Sequence, residues 1–174
     1  SKSKGNVLYA DDLARHFTVD GVRHYVLSEM PYASDGSITY ESLIGRYNAD
    51  LANNLGNLVK RTVDMTGKYF GGVIQVPSAA EPIDDELRAA VSDAVSRSRE
   101  QMDSYHVADA SETVFGLFRR ANKYIDETTP WVLAKDESRR ERLGTVLYNL
   151  LETIRIGAVL LEPFMPDTSK RILA

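Results

Sequence analysis

Apolar residues recur at intervals of three, four or seven positions over long stretches of this sequence, and this period constrains the fold more than any other feature. The stretch nearest the C-terminus shows it most fully, with Leu143, Val146, Leu147, Leu150, Ile154, Ala158 and Leu161. Such spacing places the apolar side chains on one stripe of an α-helix. A long apolar stripe must be covered, so the sequence predicts a long helix packed against other helices.

The same period predicts three further long helices. The first covers about residues 40–66, with Gly67 as its C-terminal cap, and an irregular crossover follows over 68–82. The other two are antiparallel; one opens at Asp84, and a break near residues 106–108 separates them. With strands nearly absent, we predict an all-α fold, an antiparallel helical bundle. Its predicted core holds Leu51, Leu58, Phe118, Ile125, Leu147, Leu150 and Ile154.

The first 39 residues are predicted to form a smaller connecting unit. Two short helices are expected, one capped by Asp11 or Asp12 and ending at Phe17, the other capped by Asp20 and ending at Glu29. An Asp-Gly turn and a brief β-prone pair, Ile38 and Thr39, follow. We therefore divide the chain into a connecting unit with at most short strands, residues 1–39, and a helical bundle, residues 40–174.

Composition narrows the function. A net charge of −4 and a pI near 5.4 do not suit a protein that coats nucleic acid non-specifically. Basic clusters such as Arg139, Arg140 and Arg142 are candidates for a local basic patch, and we interpret most of these clusters as solvated helix faces. The absence of cysteine excludes disulfides and thiolate metal sites, and the three histidines are scattered. No signal-peptide pattern or run of 18 apolar residues occurs, so we expect a cytoplasmic protein without a membrane partner.

Five segments together resemble one enzyme family. Ser1-Lys2-Ser3, followed by Lys-Gly-Asn, resembles the second half of the KMSKS signature of class I aminoacyl-tRNA synthetases. The order and spacing of the others are similar to those of methionyl-tRNA synthetases: PYASDGSIT, RYNADLANNLGNLVKR, NKYIDETTPWVLAKD and LLEPFMPDTSKRI. The last element is shared loosely with the leucine, isoleucine, valine and cysteine enzymes, whereas LANNLGNL combined with PW-x-LAK looks specific to the methionine enzyme.

The resemblance implies a function for the whole protein and a part of it for this chain. Enzymes of this family activate methionine with ATP and attach it to tRNA(Met), and the bundle would be a class Ia anticodon-binding domain that binds the CAU anticodon. The sequence starts without a methionine, in what looks like the middle of a loop, so we expect a C-terminal fragment that is inactive without its N-terminal catalytic domain. ATP and magnesium would serve the complete enzyme, any zinc would lie in the N-terminal part, and the fragment alone would bind no cofactor.

The opening residues carry the implied ATP chemistry. The resemblance aligns Lys2 with the second lysine of KMSKS, and so implies a catalytic contact with the ATP phosphates, whose negative charge an ammonium neutralises. Ser1 and Ser3 would supply hydroxyl donors to the ATP. Considered without the resemblance, Lys2 is a flexible, solvated terminal residue.

The anticodon contacts are expected on the helix that starts near Tyr40. Asn57 and Arg61 lie roughly 40° apart on a helical wheel, on a polar flank of the leucine stripe. An arginine fork and an asparagine amide suit an unpaired base, but the residues alone favour the interpretation that these asparagines bond to neighbouring helices or loops. The resemblance places anticodon contacts at both residues.

Trp131 is the only tryptophan and follows Pro130. By itself, such a tryptophan is more often a core residue. The resemblance makes its ring the platform for the cytosine of CAU, with Pro130 fixing the approach of the ring because its φ is locked.

Two alternatives remain open at this point. One is the equivalent part of another class I synthetase, for leucine, isoleucine, valine or cysteine, in which Asn57, Arg61 and Trp131 would not form a common set. The other is a free-standing tRNA-binding or protein-interaction helical module that retains a remnant of KMSKS.

Overall fold

A computed structural model describes residues 9–29 and 38–174 of the chain, and within these ranges it contains helices and no strand. The α-helices, in chain order, are α1 (Ala10–Glu29), α2 (Tyr40–Arg46), α3 (Asn57–Phe70), α4 (Pro82–Asp103), α5 (Val107–Thr128), α6 (Pro130–Leu133), α7 (Arg140–Leu161) and α8 (Pro166–Leu173). A π-helical segment, Tyr47–Gly56, joins α2 to α3, and a short 3-10 turn, Glu137–Arg139, precedes α7. The predicted all-α class is confirmed.

Helix α5 lies at the centre of the bundle and runs opposite to α4 and α7. Tyr124 near its C-terminal end bonds Asp84 at the start of α4, while Thr113 near its beginning bonds Gln101 at the end of α4. Tyr124 also accepts a hydrogen bond from Asn149, from the first half of α7. Helix α3 runs in the same direction as α5, so the long helices alternate in direction through the bundle, as predicted.

One main apolar core fills the bundle and contains the predicted residues. Leu58, Phe118, Ile125, Leu147, Leu150 and Ile154 are buried in it, and Leu51 packs against it partly buried. A smaller cluster of Leu13, Tyr25 and Leu43 lies between α1 and α2. The 1–39 and 40–174 division stays a prediction.

Within the described residues, one helical stretch, Glu137–Leu161, has the length and apolar composition to cross a membrane. In this structure 56% of its most apolar window is buried inside the bundle. Packing in a protein core therefore accounts for its composition, and the expectation of no membrane partner stays a prediction.

The predicted end of α3 at Gly67 is wrong. The helix continues for another turn to Phe70 and ends at Gly71, whose φ of 61° places it in the left-handed region that glycine adopts most easily. Gly72 also has a positive φ, 82°. The adjacent glycines thus terminate the helix, and the crossover is shorter than predicted, residues 71–81.

Three predictions near the N-terminus are corrected. The described part begins with one helix, α1, broken at Thr18, so the two expected short helices are present, but Asp11 and Asp12 lie inside the first turn and do not cap it. However, Thr18 rather than Asp20 caps the second half, since its hydroxyl accepts from the Gly21 amide, while Asp20 accepts from the Thr168 amide of α8. Thr39 does not lie in a strand: with Ser42 it forms the capping box of α2. The rest of the turn segment falls outside the described residues.

A buried ion pair between Asp84 and Arg142 joins α4 to α7. Arg142 donates two hydrogen bonds to the carboxylate, of 2.6 and 2.9 Å, and the Tyr124 hydroxyl donates a third of 2.5 Å. Arg142 is only 4% exposed, so it does not belong to a solvated basic face. A buried guanidinium needs an acceptor for each of its N–H groups. The Ala79 carbonyl and the Glu81 carboxylate serve as acceptors in addition to Asp84.

These contacts set the titration of the cluster. Burial acts to raise the pKa of the Asp84 carboxyl, but hydrogen bonds from Arg142, Tyr124 and the Glu81 backbone outweigh it and hold that pKa below its usual value. Burial, reinforced by the neighbouring Asp84 carboxylate, raises the pKa of the Tyr124 hydroxyl. The cluster is thus an ionised pair with a neutral tyrosine at neutral pH.

We predict that Leu150→Ala lowers the free energy of unfolding by about 2–5 kcal/mol, because Leu150 is fully buried and its truncation leaves a cavity. Urea denaturation followed by circular dichroism measures this change. Val159→Ala on the same helix is the matched control; Val159 is exposed, so its replacement should change stability by less than about 0.5 kcal/mol. A loss below about 1 kcal/mol for Leu150→Ala would contradict the packing described for α7.

We predict that Asp84→Asn costs about 3–5 kcal/mol at neutral pH, since it leaves the Arg142 charge buried without its partner. The folded-state pKa of Asp84 lies below the 3.8 of the free side chain, so its contribution is complete above about pH 5 and is lost as pH falls through the folded-state pKa. The stability difference between wild type and variant should therefore narrow towards pH 3 in denaturation curves. Asp64→Asn, in an exposed pair with Lys60, should cost less than about 1 kcal/mol. A pH-independent difference for Asp84→Asn would contradict the described ionisation.

Candidate nucleic-acid interface

Asn57, Arg61 and Trp131, predicted from distant parts of the sequence, lie on one face of the bundle. Asn57 and Arg61 occupy successive turns of α3, and Trp131 lies in α6. The guanidinium carbon of Arg61 is 5.7 Å from the centre of the Trp131 ring, within the range of a cation–π contact. The face therefore combines an aromatic ring, a planar cation and an amide.

Two residues of α5 hold the α3 side chains in place. Arg61 donates to Asp126 over 3.1 Å, and Asn57 donates to Asn122 over 3.4 Å. Each pair is separated by 65 residues, so the two helices run side by side in the same direction here. The sequence analysis did not single out Asn122 and Asp126, because a four-residue spacing occurs on every helix and does not show which helix faces which.

The connection between α5 and α6 fixes the position of Trp131. Thr129 has φ 42° and ψ 61°, a left-handed conformation that is uncommon for a β-branched residue and costs on the order of 1–3 kcal/mol. Pro130 is the first residue of α6 and is buried, so its ring and fixed φ set the direction of the turn. This turn leaves the next residue, Trp131, 41% exposed at the surface and not in the core.

The surrounding charges are mixed. Lys60 and Lys123 extend from α3 and α5 with largely exposed side chains, and each pairs with an acidic residue of its own helix, Asp64 and Glu127. Exposed pairs of this kind are weak and exchange readily for other anions. Helices α3 and α5 thus each carry a solvated cation, Lys60 and Lys123, in addition to Arg61, which lies beside the ring.

The predicted ATP-binding residues Ser1, Lys2 and Ser3 lie outside the described residues. Their roles stay predictions.

A second buried polar cluster lies where α1 meets the bundle. His24, 1% exposed, bonds Asp50 over 3.0 Å, and its ring packs at a tilt against Phe115 with 4.3 Å between ring centres. Burial acts to raise the pKa of Asp50, but hydrogen bonding to His24 and the charges of Arg46 and Arg119 lower it overall. Within the described residues no three His, Cys, Asp or Glu side chains form a group that could hold a metal ion. We interpret the cluster as a structural connection.

Comparison with known proteins identifies the class of protein to which the chain belongs. Residues 1–63 match a family described as class I tRNA synthetases (M), and residues 76–174 match the anticodon-binding domain of methionyl tRNA ligase. The chain belongs to the methionyl-tRNA ligase family. The alternative assignment to a leucine, isoleucine, valine or cysteine enzyme is therefore set aside.

Individual relatives agree with this family. The chain is 52% identical over 174 residues to the methionine–tRNA ligase of Clostridium perfringens, and 52% identical over 172 residues to that of Clostridium tetani. It spans 27% of the length of each, while 100% and 99% of the chain is covered. A structure of Mycobacterium tuberculosis methionyl-tRNA synthetase in complex with methionyl-adenylate superposes with a TM-score of 0.95 at 37% identity, covering 99% of this chain and 34% of that one.

We predict that Arg61→Ala increases acrylamide quenching of Trp131 fluorescence, because the guanidinium shields the ring and the chain has no other tryptophan. The free energy of unfolding should fall by less than about 1 kcal/mol, since the Arg61–Asp126 pair is partly solvated. Lys60→Ala removes a neighbouring exposed cation and should leave the quenching constant unchanged. Equal quenching in wild type and Arg61→Ala would show that the guanidinium does not cover the ring in solution.

Proposed function

We propose that the complete protein containing this chain is a methionine–tRNA ligase, which activates methionine with ATP and transfers it to tRNA(Met). Membership of the methionyl-tRNA ligase family supports the proposal, as does the structural similarity to an enzyme in complex with methionyl-adenylate. In this proposal the bundle reads the CAU anticodon, and an N-terminal catalytic domain carries out the chemistry. The protein would act in the cytoplasm.

The observation that carries the anticodon assignment is the exposed Trp131 ring beside Arg61. Trp131 is 41% exposed at the surface of the bundle although Arg61 lies against its ring, so part of the ring is available to an unstacked base. Base–aromatic stacking needs no particular sequence. The ring therefore supplies binding energy, while discrimination between bases must come from hydrogen bonds. We assign the stacked position to the cytosine of the anticodon.

Arg61 and Asn57 provide the hydrogen bonds in this proposal. Arg61 gives one Nη2 donor to Asp126, which leaves other N–H groups of its planar fork for a base edge or a phosphate. Asn57 is exposed and gives its amide nitrogen to Asn122, leaving its carbonyl oxygen as an acceptor. Pro130 acts indirectly, by fixing the turn that presents the ring.

The ATP-handling role of the opening residues rests on the resemblance of Ser1-Lys2-Ser3 to KMSKS. Activation joins the methionine carboxylate to the α-phosphate of ATP and expels pyrophosphate, so negative charge on the phosphates must be neutralised. We assign this to the ammonium of Lys2, with Ser1 and Ser3 as hydroxyl donors and magnesium as the cation that accompanies ATP. The adenylate-forming step would also need groups of the N-terminal domain, so residues 1–174 alone should not form methionyl-adenylate.

We predict that Trp131→Ala in the complete enzyme weakens tRNA(Met) binding by about 1–3 kcal/mol, because one base stack is lost. Adenylate formation, measured by ATP–pyrophosphate exchange without tRNA, should be unchanged. Bundle stability should also change little, since the ring is exposed.

Two variants provide controls for this experiment. Val132→Ala alters the adjacent exposed residue and should affect neither tRNA binding nor exchange. Lys2→Ala is the reciprocal control. It should raise the activation free energy of adenylate formation by about 2–4 kcal/mol and leave the affinity for tRNA unchanged. Unchanged tRNA affinity in Trp131→Ala, or its loss only through unfolding, would refute the anticodon assignment.

A further inference from the structure

A π-helical segment, Tyr47–Gly56, ends immediately before Asn57. A π-turn contains one more residue than an α-turn, and each additional residue rotates the following helix by about 100° about its axis. The end of this segment therefore determines which direction Asn57 and Arg61 face. In a continuous α-helix from Tyr40, the same two residues would point elsewhere on the bundle.

Close backbone contacts mark the end of the π-helical segment. The Asn57 amide donates to the Ala52 carbonyl, five residues earlier, as in a π-turn. A Cβ atom on Gly56 would lie 2.8 Å from the Leu51 carbonyl oxygen, so a glycine is needed there. Asn54 is buried and its amide donates to the Phe115 carbonyl of α5 over 3.0 Å.

Asn122 of α5 contacts both the end of the π-helical segment and Asn57. Its amide nitrogen lies 3.1 Å from the Asn54 backbone carbonyl, 3.1 Å from the Asn54 side-chain oxygen and 3.2 Å from the Phe118 carbonyl. Its amide oxygen accepts from the Asn57 nitrogen over 3.4 Å. The Asn122 amide thus donates to the π-helical segment on one side and accepts from Asn57 on the other. No apolar or hydroxyl side chain of this shape can replace it in both roles.

We propose that Asn122 is a positioning residue for base discrimination. By accepting from the Asn57 nitrogen, it turns the Asn57 carbonyl oxygen outward as an acceptor. An outward acceptor favours a base that presents an exocyclic amino group, as cytosine does, over uracil, which presents a carbonyl at the same place. The inference rests on the proposed anticodon function and adds to it the residue that selects the orientation of Asn57.

The test compares aminoacylation by the complete enzyme of tRNA(Met) transcripts with CAU and UAU anticodons. Asn122→Ala frees the Asn57 amide to rotate, so the CAU to UAU ratio of kcat/KM should fall about five- to tenfold, as for loss of one hydrogen bond. ATP–pyrophosphate exchange should not change. Asn149→Ala on α7 also removes an asparagine hydrogen bond, to Tyr124, and as the matched control should leave the ratio unchanged.

A double variant and a near-isosteric variant separate positioning from a purely structural role. If Asn122 acts through Asn57, Asn57→Ala with Asn122→Ala should discriminate no worse than Asn57→Ala alone. Asn122→Asp keeps the oxygen that faces Asn57 and loses the donor to Asn54, so it should retain the ratio although its melting temperature falls. This variant also decides the matter if Asn122→Ala does not fold, since loss of the ratio in Asn122→Asp overturns the proposal.

The outcomes distinguish the two proposals. A ratio that stays constant in Asn122→Ala, with tRNA affinity reduced in Trp131→Ala, overturns the role of Asn122 and leaves the anticodon assignment standing. If kcat/KM falls equally for both transcripts and the Asn122→Ala enzyme is less stable, Asn122 has only a structural role, and the inference is overturned. If Trp131→Ala has no effect on tRNA affinity, the anticodon assignment fails and the role of Asn122 fails with it.

Discussion

The buried pair of Asp84 and Arg142 is the interaction on which the arrangement of the bundle depends. Each charge would be costly in the core alone, and the two together remain expensive unless every donor and acceptor is used. The carboxylate receives four donors, from the guanidinium, the Tyr124 hydroxyl and the Glu81 amide. Since these groups come from the start of α4, the end of α5 and the start of α7, only one relative placement of the three helices satisfies them all. The pair therefore specifies register more than it adds net stability.

Helix α5 transmits this register to the proposed anticodon face. Tyr124 points into the buried cluster, while Asn122 and Asp126, two residues to either side, bond the α3 side chains. Residues two positions apart lie on nearly opposite sides of a helix, so the same turn of α5 is fixed by the core and fixes the surface. The positions of Asn57 and Arg61 thus follow from core packing, although both side chains lie at the surface.

Apolar periodicity was sufficient to predict the class of the fold and its core, because a covered stripe is a property of the sequence itself. The end of α3 was missed since Gly67 and Gly71 are both acceptable caps, and only the packing of Phe70 and the adjoining Gly72 favour the later one. The burial of Arg142 was also missed, because an arginine beside two others resembles a solvated face unless its distant partner Asp84 is known. The π-helical segment has no sequence signature, as its extra residue is visible only in the hydrogen bonds. Of the proposed site, the α3 and α6 residues were found through family resemblance, whereas their α5 partners required the coordinates.

The turn at Thr129 explains how an exposed ring can still be rigid. A surface tryptophan on a free loop would have to be ordered when a base binds, and that ordering would reduce affinity. Here a left-handed threonine and a buried proline fix the backbone before the ring, and the Arg61 guanidinium lies against the ring. The backbone strain at Thr129 arises in folding, before any base binds, and the burial of Pro130 and Leu133 acts against it. In the proposed function an unstacked base would then bind to a surface whose geometry is already set, and this pre-organisation would give the strained turn a physical reason.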